Sequence, residues 1–157
     1  METLVIDSLI GTLHVTGDAT CIHRIAIGDG PRQTGGTPVL RRAADQLADY
    51  FAGRRQSFDL PLAEPATPFQ ARVRAAMLAI PFGETRSYGE IAKQVGGVPR
   101  AVGQACGANP VPVVVPCHRV LGAGGSIGGF SGGSGAPTKR KLLALEAGPL
   151  FAPAAPR

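Results

Sequence analysis

No stretch of this sequence approaches the ~20 consecutive apolar residues that a membrane-crossing helix requires, so no membrane partner is expected. The N-terminus reads Met1-Glu2-Thr3 and carries an acid where a secretory leader would be basic. Cysteine is scarce: three residues, an odd number, in unlike surroundings. That excludes a disulfide framework, and no zinc-type ligand spacing emerges. His14, Cys21 and His23 lie near one another, but one Cys and two His on strand pieces are too little to predict a metal site. A reducing, cytoplasmic compartment is expected, with no metal and no cofactor.

Acidic residues are the scarcer charge, 11 Asp/Glu against 16 Lys/Arg, and the resulting net charge of +5 is unevenly placed. Residues 1–66 hold six Arg against eight acids, while residues 67–147 hold nine Lys/Arg against three acids. A basic half joined to a mildly acidic one points to a polyanion partner for the basic half; the alternative is a solvated basic face. A chain of 157 residues with 44% hydrophobic content can form one ordinary domain or two small ones, with a packed core.

In the first half, Leu4 and Ile6, then Leu13 and Val15, then Ile22, Ile25 and Ile27 alternate with polar residues. Turn chemistry falls at Ser8–Gly11 and Thr16–Asp18. Three short antiparallel strands are expected. A Gly-rich loop follows over Gly28–Thr37. Val39, Ala43, Leu47, Tyr50 and Phe51 then make a helical stripe over 39–52, stopped by Gly53. Ser57–Leu60 reads as a short extended piece. Leu62–Ala66 is the expected linker between domains at 1–63 and 67–150.

The second half opens with Thr67 as a helix cap, Pro68 at the first helical position and Gln70 completing a capping box. Phe69, Val73, Ala76, Met77 and Ile80 form the apolar face. Ser87 and Glu90 make a second capping box before a short helix with Ile91, Ala92 and Val95. After the Gly96-Gly97-Val98 turn, Pro99 opens a third helix that runs to Cys106 and ends at Gly107. Two short helices across a glycine turn read as a helix-turn-helix. Ala101, Gly103, Ala105 and Gly107 leave the third helix nearly bare. A reader of the major groove needs long polar side chains at base edges; a smooth helix with one Arg suits a backbone or a narrow groove.

Near the centre, the β-branched run Val111–Val115 reads as a buried strand. It ends in Pro116-Cys117-His118-Arg119-Val120, a thiol beside an imidazole and a guanidinium. A free thiol titrates near ~8.5 and neighbouring cations lower that value. Adjacent strand residues face opposite ways, so Cys117 and His118 meet only where the strand ends, and Pro116 marks such an end. The plain alternative is a buried Cys beside a surface His.

Asn109-Pro110-Val111-Pro112, Pro116-Cys117-His118-Arg119-Val120, Gly128-Gly129-Phe130-Ser131-Gly132-Gly133 and Leu142-Leu143-Ala144-Leu145-Glu146 occur in that order. In this the chain resembles the O6-alkylguanine-DNA alkyltransferases, or methylated-DNA–protein-cysteine methyltransferases, over Thr67–Gly148; the first half matches in layout only. The resemblance implies an α+β fold: a small N-terminal antiparallel sheet with one helix, then a mostly helical part with a helix-turn-helix and a short active-site strand. It implies direct reversal of O6-alkylguanine damage by irreversible transfer of the alkyl group to Cys117, one group per chain, and leaves O4-alkylthymine open as a second substrate.

The same resemblance assigns roles. Cys117 is the SN2 nucleophile, His118 the base acting through water, Glu146 the group that orients His118, and Asn109 a hinge. The partner is double-stranded DNA bound through the minor groove by a monomer. A base in a duplex must be flipped out to react, and the gap filled; Arg100 is the side chain that intercalates, and Tyr88 crowds the neighbouring phosphate. Gln70 and Ala123 stand at DNA-side positions. Backbone N–H groups of Val120 and Ser131, with Phe130 and Gly132, line the guanine pocket. Phe130 replaces the family's usual Tyr and cannot donate a hydrogen bond. Arg74 stands where Trp is common. Cys106 is expected to pack as a small hydrophobe, and Arg119 to pair with a carboxylate or a carbonyl. Two other readings remain: a lesion-binding or regulatory DNA-binding protein without transfer, which Cys117 argues against, and a Cys-His hydrolase, which leaves the helix-turn-helix unexplained.

Overall fold

Alternation and turn chemistry produce the N-terminal sheet as expected. The computed structural model describes residues 1–127, 133 and 135–148. Strands β1 (Glu2–Ser8), β2 (Gly11–Gly17) and β3 (Ile22–Ile27) form an antiparallel meander in that order. Ser8 Oγ donates to the Gly11 carbonyl across the first turn, where Gly11 takes φ +110°, a value costly for any other residue. Leu13, Val15, Ile22, Ile25 and Ile27 are buried, as are Leu40, Ala43, Leu47 and Tyr50 of helix α1 (Pro38–Phe51), which packs on the sheet. Thr37 caps α1 by accepting from the Leu40 N–H, and Pro38 opens it.

The outer edge of β3 is the seam of the molecule. An open strand edge is a hazard unless covered, and here both halves of the chain cover it. Ile22 donates to the Pro61 carbonyl and Ala63 donates back to Ile22, so the expected linker runs parallel to the strand. Further along, Ile25 donates to Pro110 and Gly133 donates to Ile27. Arg74 reaches the same segment, giving a hydrogen bond to the Ala63 carbonyl at 2.9 Å.

The helices of the second half follow their caps. They are α2 (Pro68–Leu78), α3 (Tyr88–Val95), α4 (Pro99–Gly107) and α5 (Ala136–Ala147). The capping box at Ser87 and Glu90 is complete in both directions. At α2 the Gln70 N–H reaches Thr67 Oγ1, but among the described residues no bond returns from the Gln70 side chain, so that box is half made. Gly96, at φ +78°, turns the chain from α3 into α4.

The run Val111–Val115 is not a strand. Every residue from Val111 to Val120 is buried, but the first five form a tight turn in which the Val115 N–H donates to the Val111 carbonyl. The reason lies in the prolines: Pro110, Pro112 and Pro116 have no N–H, so a ladder through this segment would lack a donor at three of its positions. Val113 sits at φ +75°. A left-handed L-residue costs roughly 1–2 kcal/mol, and burying a Val side chain returns roughly 1.5–3 kcal/mol, so burial holds the strained residue in place. Asn109 closes the turn from the end of α4: its Nδ2 donates to the Val115 carbonyl at 3.0 Å and its Oδ1 accepts from the Val111 N–H at 3.1 Å. Cys117–Arg119 then form one 3-10 turn, and the short strand β5 (Val120–Leu121) pairs in parallel with β4 (Arg86–Ser87).

Asn109→Ala orphans two buried backbone groups, each worth about 1–3 kcal/mol. Urea unfolding should show a midpoint lowered accordingly with an unchanged slope. A variant as stable as the parent would mean that the turn is held by its remaining bonds.

Candidate active site

The 3-10 turn solves the problem of facing. On a strand Cys117 and His118 would point apart; the helical turn gathers Cys117, His118 and Arg119 on one buried corner, with His118 fully enclosed. The reading of a surface histidine is therefore overturned. α5 packs over this turn and delivers Glu146 to it.

Glu146 is the centre of the arrangement. Its Oε2 accepts from His118 Nε2 at 2.6 Å and from Arg119 Nη2 at 3.0 Å, while Oε1 accepts from Arg119 Nε at 2.7 Å. Arg119 also donates to the Ile80 carbonyl at the end of α2, at 2.8 Å. Burial by itself would push the Glu146 carboxyl up. The hydrogen bonds from His118 and Arg119, the His118 charge and a hydroxyl from Tyr50 outweigh it and hold the group down at about 2. Arg119 thus does what was expected of it, pairing with a carboxylate and a carbonyl at once.

The protonation of His118 follows. A carboxylate only accepts, so Nε2 must carry the hydrogen. Burial pushes the imidazole below its ordinary value, against the opposing pull of Glu146. A neutral ring with Nε2 protonated presents its lone pair at Nδ1. That Nδ1 is the one buried side-chain nitrogen or oxygen without a hydrogen-bond partner among the described residues. The geometry leaves a base at Nδ1 and a thiol on the preceding residue.

Two contributors escaped the sequence reading. Tyr50, from α1, donates its hydroxyl to Glu146 Oε2 at 2.5 Å. Lys139, from α5, is almost wholly buried and donates from Nζ to the Val120 carbonyl at 2.7 Å. Its ammonium also lies 3.5 Å from the Tyr88 hydroxyl and 5.7 Å from the centre of that ring. Burial lowers the Lys139 pKa, and the charges of Cys117 and Cys106 work the other way. A cation of this kind favours a thiolate in its neighbourhood. Cys106 is no rival nucleophile: burial, then Cys117, pushes its thiol up to about 12, and its Sγ lies 3.7 Å from Met77 Sδ. It packs as the small hydrophobe expected.

The other expected site residues fall in different places. Tyr88 begins α3, half-buried, beside Lys139. Arg100 is exposed at the second residue of α4, and Ala123 is exposed in a 3-10 turn over 123–125. Gln70 is half-buried in the first turn of α2. Val120, expected to offer its N–H to a base, instead donates it to the Cys117 carbonyl, because that bond closes the 3-10 turn. Phe130, Ser131 and Gly132 lie outside the described residues. The loose group His14, Cys21 and His23 is rearranged: both ring nitrogens of His14 are taken, by the Pro31 and Gly28 carbonyls at 2.7 Å. Asp18 replaces it beside Cys21 and His23. Hydrogen bonds from Thr20, then from Cys21 and His23, hold the Asp18 carboxyl far below its usual range.

The N-terminal sheet with its helix, and the second half with its two short helices across the Gly96 turn and its buried His118–Glu146 pair next to Cys117, each match one domain of a known family. Residues 68–148 match the 6-O-methylguanine DNA methyltransferase DNA-binding domain, and residues 2–63 match the ribonuclease-like domain of the same family. The chain belongs to that family. A methylated-DNA–protein-cysteine methyltransferase of Mycobacterium tuberculosis (strain H37Rv) is 47% identical over 149 residues, 90% of this chain and 89% of that one. One from Methanosarcina acetivorans is 40% identical, covering 93% of this chain and 98% of its own. A crystal structure of the Mycobacterium tuberculosis protein OGT in complex with DNA superposes with a TM-score of 0.82 at 45% identity, covering 94% of this chain and 93% of that chain. Among the described residues no helix is long and apolar enough to cross a membrane.

The relay makes stability depend on acid. Glu146 in the folded state titrates at about 2, below the ordinary 4.5, so its contribution is present above 4.5 and is lost as pH falls toward 2. His118 is lowered from 6.5, so it too favours the fold above that value and opposes it below. The Glu146 share is about 3 kcal/mol at 1.36 kcal/mol per unit. Unfolding measured from pH 7 downward should therefore lose stability below pH 6.5 and more steeply below 4.5, and Glu146→Gln should approach the parent as pH nears 2. Parallel curves for parent and variant would contradict the assignment.

Proposed function

We propose that this chain repairs O6-alkylguanine in DNA by moving the alkyl group onto Cys117, and that the buried His118–Glu146 pair with its open Nδ1 drives the transfer. The Cys117 proton leaves through water to Nδ1 of His118. The thiolate attacks the alkyl carbon on guanine O6; the sulfur–carbon bond forms as the carbon–oxygen bond breaks, and the departing guanine takes up a proton that balances the one passed to His118, which returns to neutral. Glu146, held by Arg119, keeps the Nε2 hydrogen in place so that Nδ1 remains the base. Lys139, whose charge is coupled to that of Cys117, favours the ionised thiol, and Asn109 holds the turn that leads into Cys117. A thioether has no evident route back to a thiol, so each chain accepts one alkyl group.

The DNA-facing side of this reading rests on α3 and α4. Their small, basic surface suits the minor groove, with Arg100 filling the gap left by the flipped base. Tyr88 and Gln70 stand toward the phosphates, and exposed Ala123 is a further DNA-side position. Residues 1–63 and 67–150 act as the two domains of a monomer working in the cytoplasm.

The decisive assay mixes excess methylated duplex with a known amount of protein and follows intact mass. One methyl per chain, located on the Cys117 peptide, is expected, and Cys117→Ser should bind the DNA but gain no mass. More than one methyl removed per chain, or a mass gain elsewhere, would overturn the reading.

Arg100→Ala should slow repair of duplex at least tenfold while leaving the reaction with free alkylguanine base nearly unchanged, because only the duplex needs a gap filled. Equal losses on both substrates would remove Arg100 from that role.

A further inference from the structure

The N-terminal half carries no chemical motif, yet one of its side chains ends inside the relay. Tyr50 lies near the end of α1, and its hydroxyl meets Glu146 Oε2 at 2.5 Å, a buried hydrogen bond between residues 96 apart in sequence. The ring is held on three sides: the centroids of Phe51, Phe58 and Phe82 lie 5.1, 5.4 and 6.3 Å away, two of them edge-on. Phe82, from the second half, also faces the Arg119 guanidinium at 5.7 Å. Among the described donors to Glu146, Tyr50 alone comes from outside the second half.

Glu146 does not need Tyr50 for charge balance, since Arg119 supplies a forked pair of donors. What the hydroxyl adds is a third claim on Oε2, the oxygen that holds His118. A shared oxygen is a weaker acceptor toward each partner, and a fixed one cannot swing. Burial and the Glu146 charge push the Tyr50 pKa far upward, so its proton stays on and it remains a donor.

We propose that Tyr50 is a positioning residue for alkyl transfer: through Glu146 it fixes the ring of His118 and limits how strongly that ring is pulled toward the charged form. The N-terminal half is then part of the reacting site and more than a scaffold. This rests on the alkyl-transfer reading above. Removing the hydroxyl leaves Glu146 ionised with one donor fewer, so its negative charge bears more fully on His118. The imidazole then protonates at higher pH, and the base is lost earlier on the acid side.

The test is Tyr50→Phe, which keeps the ring and its packing. Single-turnover transfer would be followed by mass across pH 5 to 9, with methylated duplex and with free alkylguanine base. A limiting rate about tenfold lower on both substrates is expected, with the acid limb moved to higher pH, one methyl still accepted per chain, and unchanged DNA affinity in a Cys117→Ser background. A purely structural role would lower the melting temperature without moving the acid limb. The double variant Tyr50→Phe/Glu146→Gln guards against a folding artefact: it should be no slower than Glu146→Gln alone. Rates and pH limb equal to the parent, or losses that multiply in the double variant, would overturn the proposal while leaving alkyl transfer intact. No mass gain in the parent protein would instead defeat the reading beneath it.

Discussion

A buried carboxylate governs this structure. Glu146 brings a negative charge into a corner where solvation is lost, and such a charge is tolerated only when paired and fully hydrogen-bonded. Arg119 supplies the pairing, and His118 and Tyr50 the remaining bonds. Each donor is thereby fixed by the same requirement. Taking any one away leaves the others facing an ion that has lost part of its compensation, so the relay behaves as a unit rather than as a sum of contacts. The neutral state of His118 and the position of its hydrogen follow from this constraint together with burial.

The second constraint is the proline-punctuated turn before Cys117. It places a strained Val113 and a bonded Asn109 directly upstream of Cys117. Its outer carbonyl, at Pro110, is bonded to β3. The position of the thiol is thus tied to α4 on one side and to the N-terminal sheet on the other. α4 lies, with α2, α3 and α5, within the residues that match a DNA-binding domain, so the thiol is held by a short, stiff piece of chain inside that domain.

Local signals in the sequence were sufficient for much of this. Period-two alternation located the three strands; Thr67 and the Ser87–Glu90 pair marked helix starts; Gly96 and Gly107 marked a turn and a stop. The motif around Cys117 was legible because thiol, imidazole and guanidinium are adjacent in the chain. Val111–Val115 misled because β-branched composition spoke for a strand while the prolines, whose effect is on hydrogen bonding, spoke against it. Tyr50 and Lys139 were not legible at all. One reads as a core position on a helical stripe, the other as one of three basic residues in a row. Their meaning depends on contacts spanning 96 and 19 residues respectively, which no local pattern encodes.

The separation of Tyr50 from Glu146 also bears on how the molecule comes into being. Contacts this distant in sequence form late, because the loop they close must be ordered first. Cys117 emerges from synthesis before α5, and until α5 docks against both α1 and the 3-10 turn it lacks Glu146 and Lys139. Under the proposed transfer, the groups that act on Cys117 come together only with this last docking event, so a half-made chain holds the thiol without them.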